Sequence, residues 1–188
     1  TKYLMTSLEE EENIKLSMIN MGGGFPASYI DPTNDLSEYA SEITRYLRDD
    51  FGEDIPQIIL EPGRSLVGDS GILTSEVILI SRKNNTALNR WVYLDTGKFN
   101  GLIETLGEAI KYPVVTLKDS PDAKTGEVIL AGPTCDSMDI MYEDCKYRLP
   151  LDLKVGDKLY WLTTGAYTSS YASVNFNSFP PIKTYFME

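Results

Sequence analysis

The sequence predicts an α/β segment followed by an antiparallel β domain, and two observations carry that prediction. Residues 14–60 read in the order strand, glycine loop, amphipathic helix, strand, which is a βαβ-like order. From residue 72 onward, short β-rich runs alternate with turn signals, the pattern of an antiparallel β domain or barrel. The composition shift places the boundary near residues 68–72, giving one unit over 1–70 and another over 71–188. A chain of 188 residues has room for one large or two small domains.

In the first unit, residues 1–13 are polar and contain the run Glu9-Glu10-Glu11-Glu12. Like charges repel and stay in water, so this run reads as a solvated turn or helix end. Ile14 to Asn20 reads as a strand and leads into Met21-Gly22-Gly23-Gly24-Phe25-Pro26. Three consecutive glycines are costly in backbone entropy. They suit either a flexible loop or a nest of backbone N–H groups closing on an anion such as a phosphate. Leu36, Tyr39, Ala40, Ile43, Tyr46 and Leu47 recur at helical spacing, which predicts a helix over residues 35–50. Asn34 or Asp35 can cap its start, and Gly52 follows its last turn.

Pro56-Gln57-Ile58-Ile59-Leu60 reads as a short buried strand, so Glu61-Pro62-Gly63-Arg64-Ser65 falls just past its C-terminal edge. In parallel α/β proteins ligands bind at that edge. Both the glycine loop and this turn follow strands, so they share one sheet edge. Glu61 and Arg64 place an anion and a cation about a Pro-Gly turn. A cofactor with a cationic ring nitrogen and an anionic phosphate needs that combination; a solvated surface pair is the competing reading.

In the second unit, Ile72 to Ile80 reads as a long strand and Lys83-Asn84-Asn85-Thr86 as a turn. Trp91 to Leu94, Val114 to Leu117 and Glu127 to Leu130 read as further strands, with a helix over 99–111 and a polar loop over 120–125. Val155-Gly156-Asp157 is a turn that opens the strand Lys158 to Leu162. The sequence shows no internal repeat.

Composition excludes several function classes. A net charge of −11 argues against nucleic acid, which demands a basic patch, and suits a cationic small substrate. Histidine is absent, so Ser-His-Asp catalysis, Cys-His catalysis and histidine metal sites have no residues here. Cys135 and Cys145 make no disulfide framework, and a reducing cytoplasm fits them. No run of 18 apolar residues predicts a membrane span.

Four separated motifs then point one way: Gly22-Gly23-Gly24-Phe25-Pro26; Glu61-Pro62-Gly63-Arg64; Gly132-Pro133-Thr134-Cys135-Asp136-Ser137-Met138-Asp139; and Gly165-Ala166-Tyr167-Thr168, followed by Phe176-Asn177-Ser178-Phe179. In this order the chain resembles the C-terminal half of the pyridoxal-phosphate decarboxylases of ornithine, lysine and diaminopimelate. The Cys135-Asp136 pair resembles the ornithine or lysine/ornithine branch, because the diaminopimelate enzymes usually carry Glu after that cysteine.

The resemblance implies the last strands of an incomplete (β/α)8 barrel over 1–70 and a C-terminal β domain over 71–188. It implies pyridoxal 5'-phosphate as cofactor, with Gly22, Gly23, Gly24, Arg64 and Tyr167 on the phosphate and Glu61 on the pyridine nitrogen. It implies Cys135 as the proton donor after decarboxylation and Asp136 as the binder of the distal ammonium, both acting on the partner subunit's cofactor in a homodimer. Asp139 and Phe176 match positions near that interface. Ser137 and Ser178 stand where the family often has glycine. No Ala-Val-Lys-like segment with a Schiff-base lysine occurs, nor a histidine loop to stack on the ring. A whole barrel takes roughly 250 residues. The expectation is therefore a C-terminal piece, inactive without a missing N-terminal half, of an enzyme making a diamine and CO₂ in polyamine biosynthesis. A diaminopimelate decarboxylase, a non-catalytic relative and, more weakly, a racemase are the other readings. Glu108 reads as a solvated helix glutamate and Cys145 as structural.

Overall fold

The computed structural model describes residues 1–83 and 90–187. The predicted βαβ order is present. Helix α1 (Lys2–Glu12) ends at Asn13 in the left-handed region, with the acidic run exposed on its last turns. Strands β1 (Met18–Asn20) and β2 (Gln57–Ile59) flank helix α2 (Leu36–Phe51) and pair in parallel, Ile19 opposite Ile58. β1 is shorter than the predicted strand, because only its last residues find a ladder on β2. α2 starts at Asp35 and stops at Gly52, whose φ of 61° a side chain would resist. Two parallel strands do not close a barrel, so the described residues hold a βαβ unit and no complete barrel.

A single-turn helix, α3 (Arg64–Val67), leads into the β-rich remainder of the chain. There β3 (Ile72–Ser81), β4 (Arg90–Leu94), β5 (Val114–Thr116), β6 (Thr125–Ala131), β7 (Ile140–Pro150) and β8 (Lys158–Leu162) form one sheet in the order β5-β8-β3-β4-β6-β7. The sheet is mixed rather than antiparallel: β4 and β6 run parallel, Trp91 opposite Ile129. A parallel pair needs a long crossover, and residues 95–124 supply it. Val77, Val92, Leu94, Val128, Leu130, Tyr142 and Trp161 fill the core without solvent exposure. Trp161 Nε1 donates to Ser75 Oγ at 2.8 Å, and the Tyr147 hydroxyl donates to the Tyr112 carbonyl at 2.7 Å, so these large rings keep their polar atoms paired inside.

Two readings are corrected, and one strand escaped the sequence. Residues 99–111 are not a helix. A 3₁₀ segment, Ile103–Glu108, breaks at Leu106 and Gly107, and Glu108 itself has φ 55°. Glu108 is not solvated on a helix: its carboxylate accepts the backbone N–H groups of Glu143, Asp144 and Cys145, each at 2.7 Å. β7 was not legible as a strand, because four polar or weakly apolar residues, Glu143 to Lys146, interrupt its alternation at the point where Glu108 takes over the backbone donors. The turn read at residues 83–86 lies mostly outside the described residues.

Candidate functional site

The βαβ segment and the sheet meet through backbone. The Thr164 N–H donates to the Gly71 carbonyl and the Gly165 N–H to the Gly68 carbonyl, both at 2.9 Å. A Cβ on Gly165 would collide with the Val67 carbonyl, so only glycine lets the segments dock. This contact carries Tyr167 beside α3, where its hydroxyl touches the space in front of Gly63.

At the C-terminal edge of β1 and β2 a cavity of about 420 Å³ opens, lined by Gly23, Gly24, Phe25, Glu61, Gly63, Arg64, Glu104, Tyr167 and Tyr171. That volume lies in the usual range for small-molecule sites, about 300–1,000 Å³. The structure thus gathers Gly23, Gly24, Glu61, Arg64 and Tyr167 from stretches far apart in sequence. Gly24 holds φ 90°, and a Cβ on Gly23 would collide with the Glu61 carbonyl. No backbone partner is found for the N–H groups of Gly23 and Gly24 among the described residues. Gly22 does not line the cavity: its N–H is taken by Asn20 Oδ1 at 2.8 Å, and its carbonyl accepts the Glu61 N–H at 2.8 Å. Asn20 Nδ2 donates to Glu61 Oε1 at 2.7 Å, which orients that carboxylate and leaves Oε2 open.

Arg64 is half-buried and engaged. Nη1 and Nη2 donate to the two oxygens of Glu104 at 2.7 and 2.5 Å, and Nη1 also donates to the Tyr29 hydroxyl at 2.6 Å. The guanidinium lies 5.0 Å from the centre of the Tyr167 ring. Its bonds to Glu104 hold its pKa above the ordinary arginine value despite burial. Burial pushes the Tyr29 hydroxyl up, more than Arg64 lowers it. Glu104 and Tyr29 are members of the site that sequence reading missed. They lie 40 and 35 positions from Arg64, and neither sits in a motif.

Cys135 and Asp136 do not line this cavity. They occupy the loop between β6 and β7. Cys135 is exposed, with φ 59°. Asp136 Oδ1 accepts the Met138 N–H at 2.8 Å, which leaves Oδ2 free of that contact. Beneath the loop Asp139 is 2% exposed and accepts three bonds: from the Lys98 N–H at 2.7 Å, the Thr134 N–H at 3.1 Å and the Thr134 hydroxyl at 2.7 Å. Asn177 Nδ2 donates to the Thr134 carbonyl at 2.8 Å, and Phe176 stacks on Phe99 at 4.1 Å. Ser178 holds φ 69°, a conformation that glycine adopts more easily. Cys145 is half-buried, and burial raises its thiol pKa. Among the described residues no cluster of three or more metal-ligating side chains occurs, and no helix is long and apolar enough to cross a membrane.

The chain is similar to known proteins. Residues 10–165 match the family described as pyridoxal-dependent decarboxylase, C-terminal sheet domain. The chain is 34% identical to the diaminopimelate decarboxylase of Staphylococcus aureus over 95% of its own length and 42% of that enzyme. It is 32% identical to a probable ornithine decarboxylase of Dictyostelium discoideum over 93% of its length and 38% of that protein. Among solved structures, the lysine/ornithine decarboxylase of Vibrio vulnificus complexed with cadaverine superposes with a TM-score of 0.80 at 28% identity, covering 96% of this chain and 46% of that one. The chain therefore spans less than half the length of the relatives it matches.

Proposed function

The chain belongs to the pyridoxal-dependent decarboxylases, and from that premise we propose that it supplies the cofactor cradle and a substrate-facing loop of an enzyme that decarboxylates a basic amino acid. One observation carries the reading: Gly23, Gly24, Glu61, Arg64 and Tyr167, from three separate motifs, line one cavity at one sheet edge. The residues fit pyridoxal 5'-phosphate. Two glycine amides without a partner among the described residues, the remaining N–H donors of Arg64 and the Tyr167 hydroxyl suit a phosphate. The open oxygen of Glu61 suits a protonated ring nitrogen. When bound, the cofactor supplies the electron sink for the bonding pair left as the carboxylate departs.

The chain's own residues do the rest. Glu61, aligned by Asn20, holds the proton on the ring nitrogen. Cys135 carries a proton on Sγ for return to the α-carbon, and Asp136 offers a carboxylate oxygen to the substrate's distal ammonium. Neither residue lines the cavity of its own chain, which supports an active site shared across a homodimer. Asp136 favours ornithine or lysine, whereas many curated relatives are diaminopimelate decarboxylases, so the three amino acids are the substrates to compare. The sequence offers no Schiff-base lysine in a recognisable segment, and the 188-residue chain by itself is expected to release no CO₂.

The test is CO₂ release by the whole protein from ornithine, lysine and diaminopimelate in the presence of pyridoxal 5'-phosphate. Cys135→Ala should lower turnover by roughly 10²-fold or more, the usual effect of removing a proton donor. Asp136→Ala should act mainly by raising KM. No CO₂ from any of the three substrates would sink the reading.

A further inference from the structure

We propose that Glu104 and Tyr29 are positioning residues that hold the Arg64 guanidinium so that one edge of it, the Nε–Nη2 edge, is kept for an anion in the cavity. The inference rests on the cofactor reading above and goes further by assigning roles to two residues outside every motif. A guanidinium has five N–H donors in a fixed plane. Glu104 takes one from Nη1 and one from Nη2, and the Tyr29 hydroxyl takes the second from Nη1. That leaves the Nε–H and the second Nη2–H, which lie side by side on one edge. Neither has a protein partner among the described residues.

Two adjacent parallel donors are what a phosphate accepts in a bidentate contact. The rest of the guanidinium is immobilised. Glu104 and Arg64 side chains are 17% and 19% exposed, and the guanidinium carbon lies over the Tyr167 ring, 5.0 Å from its centre. Glu104 itself lines the cavity, so its carboxylate also tells where an anion cannot sit. An anion approaching from the Glu104 side meets like charge, and one approaching the Nε–Nη2 edge meets two donors. The arrangement trades some of the net attraction of Arg64 for a defined direction of binding.

The experiment is calorimetric titration of the apo protein with pyridoxal 5'-phosphate and with pyridoxal, which lacks the phosphate. The ratio of the two dissociation constants isolates the phosphate's share. Glu104→Gln keeps the size of the side chain and turns one acceptor into a donor facing Arg64. It should shrink that ratio roughly tenfold while pyridoxal affinity stays within twofold. Tyr29→Phe, which keeps the ring and removes one acceptor, should shrink it about threefold. A merely structural role would lower the melting temperature and leave the ratio intact, and that result overturns the proposal. So does a larger ratio in Glu104→Gln, which would make Glu104 a competitor of the phosphate rather than a guide. A wild-type protein that binds both compounds equally would overturn the cofactor reading itself, and is told apart because it needs no variant to be seen.

Discussion

Glu108 offers the sharpest test of how the β domain is held together. Its carboxylate accepts three consecutive N–H groups of β7, at residues 143–145, where the β6–β7 register shifts. Removing it by Glu108→Ala leaves three donors to water. A hydrogen bond to a charged group contributes about 1.5–3 kcal/mol when buried, but these lie near the surface, so about 0.7 kcal/mol each and about 2 kcal/mol together is the expected loss. Alanine keeps the Cβ, so the cost of φ 55° is unchanged and does not confuse the comparison. For a chain of this size, about 2 kcal/mol corresponds to about 4–8 °C in melting temperature. Burial raises the Glu108 carboxyl, but the three N–H donors and Lys111 together pull it below the ordinary carboxylate range. A group whose folded pKa is depressed stabilises fully above its unfolded pKa, about 4.3, and loses that contribution as the pH falls through the folded value. The gap between wild type and Glu108→Ala, followed by thermal melting from pH 7 down to pH 3, should therefore stay constant above about pH 5 and narrow below about pH 4. A shift under one degree at pH 7, or a gap that does not narrow in acid, would refute the reasoning.

Two further substitutions probe the joint and the core. Gly165→Ala drives a Cβ into the Val67 carbonyl and should cost about 3 kcal/mol or more, with loss of pyridoxal-phosphate affinity because Tyr167 is displaced; denaturant unfolding and calorimetry read the two effects. Ser75→Ala strands the buried Trp161 Nε1–H and should cost about 1–3 kcal/mol by denaturant unfolding, with little effect on cofactor affinity because Ser75 does not line the cavity.

Much of this organisation was legible in sequence where local rules decide it. The α2 helix was read to within a residue at each end, because its apolar spacing and the glycine that stops it are both local signals. The strands of the sheet other than β7 were found for the same reason. What escaped reading depends on contacts between distant residues. The break at Leu106 and Gly107 and the bulged middle of β7 are two sides of one event, the seating of Glu108 on backbone 35 to 37 positions away. The parallel pairing of β4 with β6 is likewise a tertiary choice that alternation cannot express. In the site, Glu61 and Arg64 stood out because a Pro-Gly turn framed them past a strand. Glu104 looked like any acidic residue in an apolar stretch until the fold set it against Arg64.

The placement of Cys135 argues that this surface is meant for something beyond its own chain. The residue sits at φ 59°, a conformation that costs a non-glycine residue about 1–2 kcal/mol. It is exposed, so no packing in this chain requires a cysteine there. Yet the loop is anchored with care: Asp139 is buried beneath it on three hydrogen bonds, and Asn177 grips the Thr134 carbonyl. A chain that only needed to join β6 to β7 would gain nothing from that strain. A rigid loop presenting a thiol and a carboxylate outward gains from it if a second copy places its cavity against them. Strain of this kind persists where the surroundings fix it, and functional sites are where it gathers. The same logic accounts for the open cavity at the edge of β1 and β2, which holds an oriented carboxylate and a guanidinium with an unused edge but has neither Cys135 nor Asp136 in its lining. In the homodimer proposed above, a two-fold arrangement would set each copy's loop against the other's cavity.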